Sequence, residues 1–142
     1  MDIAPIIKEI TAQETWPIRH QVMWPNESFD YIKLPNDELG LHFGLYVENK
    51  LVSVISLFII RNFGQFRKFA TVAEAQGKGY GSQLLYYLMA TANDRSIKKI
   101  WCNARVTKTA YYAKFGMQTT TTKFTKNGID YVVMERVLEL GP

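Results

Sequence analysis

Between Phe69 and Met89 a β-rich run gives way to a turn carrying Gly77, Gly79 and Gly81, and then to an amphipathic helix. No other stretch constrains the chain so tightly. Glycine accepts positive φ and lets other groups approach the main chain, so such a turn can aim several N–H groups at one point. The helix behind it adds unpaired amides and the positive end of its dipole. A turn of this kind suits a phosphate.

Three phosphate-binding patterns compete for it. A Walker loop requires Ser or Thr after Gly-Lys, and Gly77-Lys78 is followed by Gly79. A dinucleotide fingerprint requires Gly-x-Gly-x-x-Gly and a later acid, whereas this chain has Gly-x-Gly-x-Gly and then Lys98 and Lys99. The third pattern, Gln/Arg-x-x-Gly-x-Gly/Ala, is met at every position by Gln76-Gly77-Lys78-Gly79-Tyr80-Gly81. It resembles the pyrophosphate loop of the GNAT family of acyl-CoA N-acyltransferases. A second segment, Thr109-Ala-Tyr-Tyr-Ala-Lys-Phe-Gly-Met117, is similar to that family's late helix and follows at the family's spacing.

The resemblance covers nearly the whole chain. It implies a GNAT fold of α/β class: a central, twisted, mostly antiparallel sheet flanked by helices, in a single domain over residues 1–142. It implies an N-acetyltransferase that moves an acetyl group from acetyl-CoA to a primary amine, releasing CoA. Carried over by residue, Gln76, Gly77, Lys78, Gly79, Tyr80, Gly81 and Ser82 would hold the pyrophosphate. The main chain of Phe69, Ala70 and Thr71 would pair with the pantetheine arm. Tyr112 would protonate the departing thiolate, and a phenol with a pKa of about 10 is still protonated at neutral pH. Its neighbour Tyr111 matches a packing position. Adjacent helical residues point about 100° apart, so one of the two faces the sulfur.

Two positions depart from the family pattern. Arg105 stands where an asparagine often contacts the pantetheine, with Asn103 close by as a substitute. Gln65 stands where some members carry a glutamate base, and it cannot take a proton. The base is left open among a water chain, Glu74, His20, His42 and an amine that binds neutral.

Composition narrows the remaining classes. The length of 142 residues suits one domain, and 47% hydrophobic with 21% charged residues is ordinary for a globular chain. The lone Cys102 cannot form an internal disulfide, which agrees with a cytoplasmic protein, and the alternation of residues 100–104 makes it a buried strand residue. No apolar run reaches membrane-span length and no secretory signal is evident, so no membrane partner is expected. Net charge is +4. The basic residues form no arm or cluster, which argues against nucleic acid. Lys68, Lys78, Lys98, Lys99, Arg105, Lys108 and Lys114 are expected instead to flank the cofactor. No metal site is expected, and the chain is read as a monomer or homodimer. A CoA-binding regulatory module without turnover is the alternative reading, which Tyr112 disfavours.

Periodicity and punctuation predict the elements. A strand is expected over 2–10, a capping box at Thr11-Ala-Gln-Glu14, and a helix to about Met23 that Pro17 would kink unless it starts near Thr15. Residues 41–48 and 51–60 form a hairpin, 64–72 the next strand, and Ser82 to Asp94 a helix with Leu84, Leu85, Leu88, Met89 and Ala92 on one face. A strand over 98–104, a short helix over 107–115, and strands over 117–125 and 130–138 joined at Asn127-Gly128 complete the chain. The resemblance implies that the first helix, the loop after it with the segment from Asn26 to Leu41, and the final hairpin line the acceptor side. Trp16, His20, Trp24, Phe29, Tyr31 and His42 are candidate walls, and the acidic Glu27, Asp30, Asp37 and Glu38 favour a small cationic amine or a basic peptide N-terminus.

Overall fold

Local signals decide most of the elements in the computed structural model, which describes residues 4–138. The first strand, β1, runs Ile6–Ile10, and the earliest part of the expected strand lies outside the described residues. Thr11 caps α1 (Ala12–Ile18) through a complete capping box: its side chain accepts from Glu14 N at 3.2 Å, and Glu14 Oε1 accepts from Thr11 N at 3.0 Å. The helix does not wait for Thr15, and Pro17 lies inside it. Proline cannot donate to the preceding turn, and the chain widens directly after it into a π-helical turn at Arg19–Met23.

The segment rich in proline and asparagine holds only two 3-10 turns, Phe29–Ile32 and Asp37–Leu39. β2 (Leu41–Val47) and β3 (Lys50–Ile60) form the expected hairpin, with Glu48 at φ 51° and Asn49 at φ 67° in its turn. β4 (Phe63–Thr71) leads through a 3-10 turn at Ala73–Ala75 into the glycine loop and α2 (Tyr80–Asp94), which starts two residues before Ser82. The stripe of Leu84, Leu85, Leu88, Met89 and Ala92 is buried as its period requires. β5 (Lys99–Arg105), α3 (Thr109–Ala113), β6 (Gln118–Lys126) and β7 (Ile129–Val137) follow, with positive φ at Asn127 and Gly128 closing the last hairpin.

The seven strands form one mixed sheet in the order β1-β2-β3-β4-β5-β7-β6. β4 and β5 run parallel and pair only over Phe63–Gln65 with Lys99–Trp101. The chain divides into two compact units, residues 1–58 with 68–88, and residues 59–67 with 89–142. The core of the first centres on Phe43, Leu45, Val54, Ile55, Leu57, Leu84 and Leu85, and that of the second on Phe66, Ile100, Cys102, Ala104, Met117, Val132 and Met134.

The first unit also buries charge. Arg19 is 0% exposed and meets Asp37, 3% exposed, in a two-armed pair: Nη1 to Oδ2 at 2.8 Å and Nη2 to Oδ1 at 2.9 Å. Asp37 Oδ2 also accepts from Trp16 Nε1 and from Leu34 N, both at 3.0 Å. Burial alone would raise the Asp37 carboxyl, but the bonds from Arg19, Leu34 and Trp16 outweigh it and hold the group below the usual carboxylate range. Arg19 Nη2 continues to Ser56 Oγ at 3.0 Å, and Ser56 lies 2.7 Å from His42 Nδ1. Only Arg19 Nε, among the nitrogens of this guanidinium, has no partner among the described residues.

Breaking such a pair strands the surviving charge, so Asp37→Ala is expected to cost about 3–5 kcal/mol, read as a lower urea midpoint. Arg19→Met combined with Asp37→Leu should cost much less than the two single changes added together. With a depressed folded pKa, the contribution of Asp37 is complete above about pH 4 and fades as pH falls below it.

Candidate active site

Main-chain direction sets up the end of β4. Val72 N donates to Val52 O at 2.9 Å and Ala70 O accepts from Ser53 Oγ at 3.2 Å, so alternate residues of this stretch turn their peptide groups toward β3. The peptide groups of Phe69 and Thr71 therefore point to the opposite edge, beyond Gln65 where pairing with β5 ends. Lys68 immediately before them has φ 55°, an unusual value for a residue with a side chain, and it marks a break in the regular strand. Gln76 Nε2 donates to Thr71 O at 2.9 Å. This side chain, expected at the cofactor, ties the loop back to the strand.

The loop itself needs its glycines for two different reasons. Gly77 and Gly79 have φ 79° and 82°, and a Cβ at either would meet nothing within 4 Å. Their main chain is therefore open to an approaching group. Gly81 has an ordinary φ, but a Cβ there would stand 3.2 Å from the Phe69 ring and 3.4 Å from Thr71 Oγ1, so this glycine seats the first turn of α2 against β4. Gln83 N bonds to Gly79 O at 3.1 Å, which makes Gly79 the first residue of the helical ladder. The amides of Tyr80 and Gly81 thus have no carbonyl within the helix to bond. Lys78 precedes them and the first turn of α2 holds no acid. The dipole and the charges both favour an anion.

Tyr112 and Asn103 belong to the second unit. The Tyr112 ring packs against Phe66 at 5.7 Å and edge-on to Tyr111 at 5.3 Å, whose ring also meets Phe115 at 5.3 Å. Burial, then Cys102 and Tyr111, push the Tyr112 hydroxyl well above the ordinary phenol range, against the pull of Arg105. It stays protonated at neutral pH and so keeps a hydrogen to donate. Burial likewise pushes the Cys102 thiol up to about 12, which suits a strand residue and not a nucleophile. Asn103 and Arg105 are exposed and alternate with the buried Cys102 and Ala104, so they project from the other face of β5 from Cys102.

Several expectations change. Lys99 sits at the start of β5, just after Lys98, and Arg105 at its end, on the order of 20 Å apart at strand rise. Lys99 pairs with Glu135 at 2.8 Å and lies over the Phe63 ring at 5.1 Å. Among the candidate bases, His42 is committed to structure. Its Nε2 lies 2.7 Å from the Asp37 carbonyl oxygen, which only accepts, so Nε2 carries a hydrogen, and Nδ1 lies 2.7 Å from Ser56 Oγ. His20 Nε2 is held by Glu27 O at 2.7 Å in the same way. Glu74 is exposed, and its own backbone amide and Lys50, 3.1 Å away, keep its carboxyl below the usual range. Gln65 is half-buried beside Trp101 in the sheet register. In the acidic segment Asp37 is consumed by Arg19 and Asp30 pairs with Lys33 at 2.8 Å, which leaves Glu27 and Glu38 as its exposed acids outside these pairs. Sequence reasoning missed Arg19 and Ser56, because nothing in a linear pattern marks a buried arginine.

A model of the GNAT acetyltransferase domain matches residues 12–138. The chain belongs to the GNAT acetyltransferase family. It is an enzyme of the N-acetyltransferase class. The uncharacterized N-acetyltransferase YitI of Bacillus subtilis (strain 168) is 28% identical, over 93% of this chain and 95% of YitI. Among solved structures, a putative N-acetyltransferase from Lactobacillus plantarum superposes with a TM-score of 0.85 at 20% identity, over 96% of this chain and all of that one. A GNAT acetyltransferase from Elizabethkingia anophelis, solved with acetyl-CoA bound, gives 0.73 at 18% identity, over 94% of this chain and 98% of that one. At such identities these structures establish the fold. No helix among the described residues of this acetyltransferase is long and apolar enough to cross a membrane.

The buried thiol gives a test of the second unit. Its folded pKa is raised, so its contribution to stability is intact below the unfolded thiol value of about 8.5 and is lost as pH climbs toward 12. Thermal midpoints of the protein should fall through this window, and Cys102→Ala should fall less steeply than the parent.

Proposed function

We propose that this enzyme transfers an acetyl group from acetyl-CoA to a primary amine by direct attack in a ternary complex. The observation that carries it is the glycine loop, whose open main chain at Gly77 and Gly79 leads straight into the start of α2, where the amides of Tyr80 and Gly81 have no carbonyl within the helix to bond. That loop would hold the pyrophosphate through the amides of Gly77 to Ser82, with Lys78 adding charge. The outward peptide groups of Phe69 and Thr71 would hold the pantetheine arm and polarise the thioester carbonyl, while Ala70, turned toward β3, would serve as their spacer. Asn103 would be an outer contact for the same arm.

In the reaction a neutral amine attacks the thioester carbon, the C–S bond breaks, and the ammonium proton leaves to water. The CoA sulfur takes up the proton that Tyr112 offers, and the phenol regains one from the water that received the ammonium proton. Burial raises the phenol's pKa, so its main contribution is a hydrogen bond that strengthens as charge develops on sulfur. The whole of residues 1–142 would act as a single N-acetyltransferase domain in the cytoplasm, and the family match from residue 12 to 138 supports that span.

Tyr112→Phe is expected to leave acetyl-CoA affinity intact and to slow turnover by about 10²-fold, whereas Tyr111→Phe should be nearly neutral. Rates should show no alkaline loss from Tyr112 below about pH 10. Calorimetric titration should give one acetyl-CoA site per chain, abolished by Gly79→Val, which adds a side chain at a φ of 82° on the approach side. Binding of ATP or NAD without CoA would overturn the assignment.

A further inference from the structure

Lys33 folds its ammonium back onto two aromatic rings. Its Nζ lies 4.6 Å from the centroid of the Trp16 ring and 5.6 Å from that of Phe29, with an Asp30 carboxylate oxygen 2.8 Å away. The rings meet edge to face at 6.4 Å and 78°. Both are fixed. The Trp16 indole donates to Asp37, itself locked by Arg19, and Phe29 packs edge-on against His20 at 5.6 Å. Alongside runs an open groove of about 430 Å³ lined by Trp16, Lys33, Leu34, Glu38 and Leu39, among others. Leu39 on its rim is 85% exposed.

Two aromatic rings, a carboxylate and a neighbouring groove are the parts of an ammonium-binding cage, and a cation already rests on them. We propose that Trp16 and Phe29 form a subsite for a cationic amine, with Lys33 as an intramolecular occupant that an incoming ammonium displaces. The use of the bound amine rests on the acetyl-transfer reading. A nitrogen held as a cation cannot be the one that attacks, because attack needs a free lone pair. The acceptor class is therefore one with a second, non-reacting cationic group: a diamine, a polyamine or a peptide with a basic side chain. The occupant lowers the apparent affinity for such a ligand by about fivefold, the worth of one exposed cation–π contact.

The cage can be tested without any acetyl donor. The probe is tetramethylammonium chloride, with tert-butanol as the uncharged control, at constant ionic strength, and the readout is the Trp16 indole resonance in the full chain. Lys33→Met should give a saturable shift with tetramethylammonium and none with tert-butanol, and the unaltered protein should need about five times more probe. Lys33→Met with Phe29→Leu should lose saturation even though Asp30 is then unpaired, which assigns binding to the rings. No saturable shift in folded Lys33→Met, or an equal response to tert-butanol, overturns the subsite. If the cage binds but no amine is ever acetylated, the acetyl-transfer reading fails and the subsite stands.

Discussion

The pair of Arg19 and Asp37 ties together parts of the first unit that little else would hold. Residues 24–40 contain no regular helix or strand beyond two short 3-10 turns, so few of their hydrogen bonds come from repeating structure. Asp37 gathers them: its carboxylate takes Arg19, Trp16 and Leu34, and its carbonyl takes His42. Two charges taken out of water repay their desolvation only in such a fully bonded geometry, and an apolar replacement can be as stable. What the apolar replacement lacks is direction. A carboxylate with two guanidinium bonds fixes one angle of approach, and the irregular segment is aligned by it.

Much of this was readable in the chain, and the reasons it was readable are local. The capping box at Thr11, the buried stripe on α2 and the Asn127-Gly128 turn each depend on residues a few positions apart, so spacing alone identifies them. The glycine loop is equally local. The failures involve distance. Asp37 counted as one of four acids expected to favour a cationic amine, while its partner lay 18 residues earlier in a helix. His42 looked like a candidate base because a linear reading cannot see Ser56 and the Asp37 carbonyl closing on both its nitrogens. Pro17 is a milder case: propensity foresaw a disturbance but not that a π turn would absorb it.

The two ends of β4 carry different duties. Its first residues pair with β5 in a short parallel ladder, and its last ones turn their peptide groups alternately to β3 and outward. Lys68 stands between these stretches at a φ that costs on the order of 1 kcal/mol for a residue with a side chain. A glycine would relieve that cost. Strain kept at such a point fits a strand that must leave its ladder to present main chain to something other than a neighbouring strand.

The burial of Cys102 has a practical consequence for a catalyst whose proposed product is itself a thiol. The only sulfhydryl of this protein is 3% exposed and remains protonated far above neutrality. It therefore offers no thiolate to exchange with a CoA disulfide. The folded protein is inert toward the mixed-disulfide chemistry that accumulating CoA would otherwise invite under oxidising conditions. A colorimetric thiol reagent added to the native protein would then report released CoA alone, with no background from the catalyst.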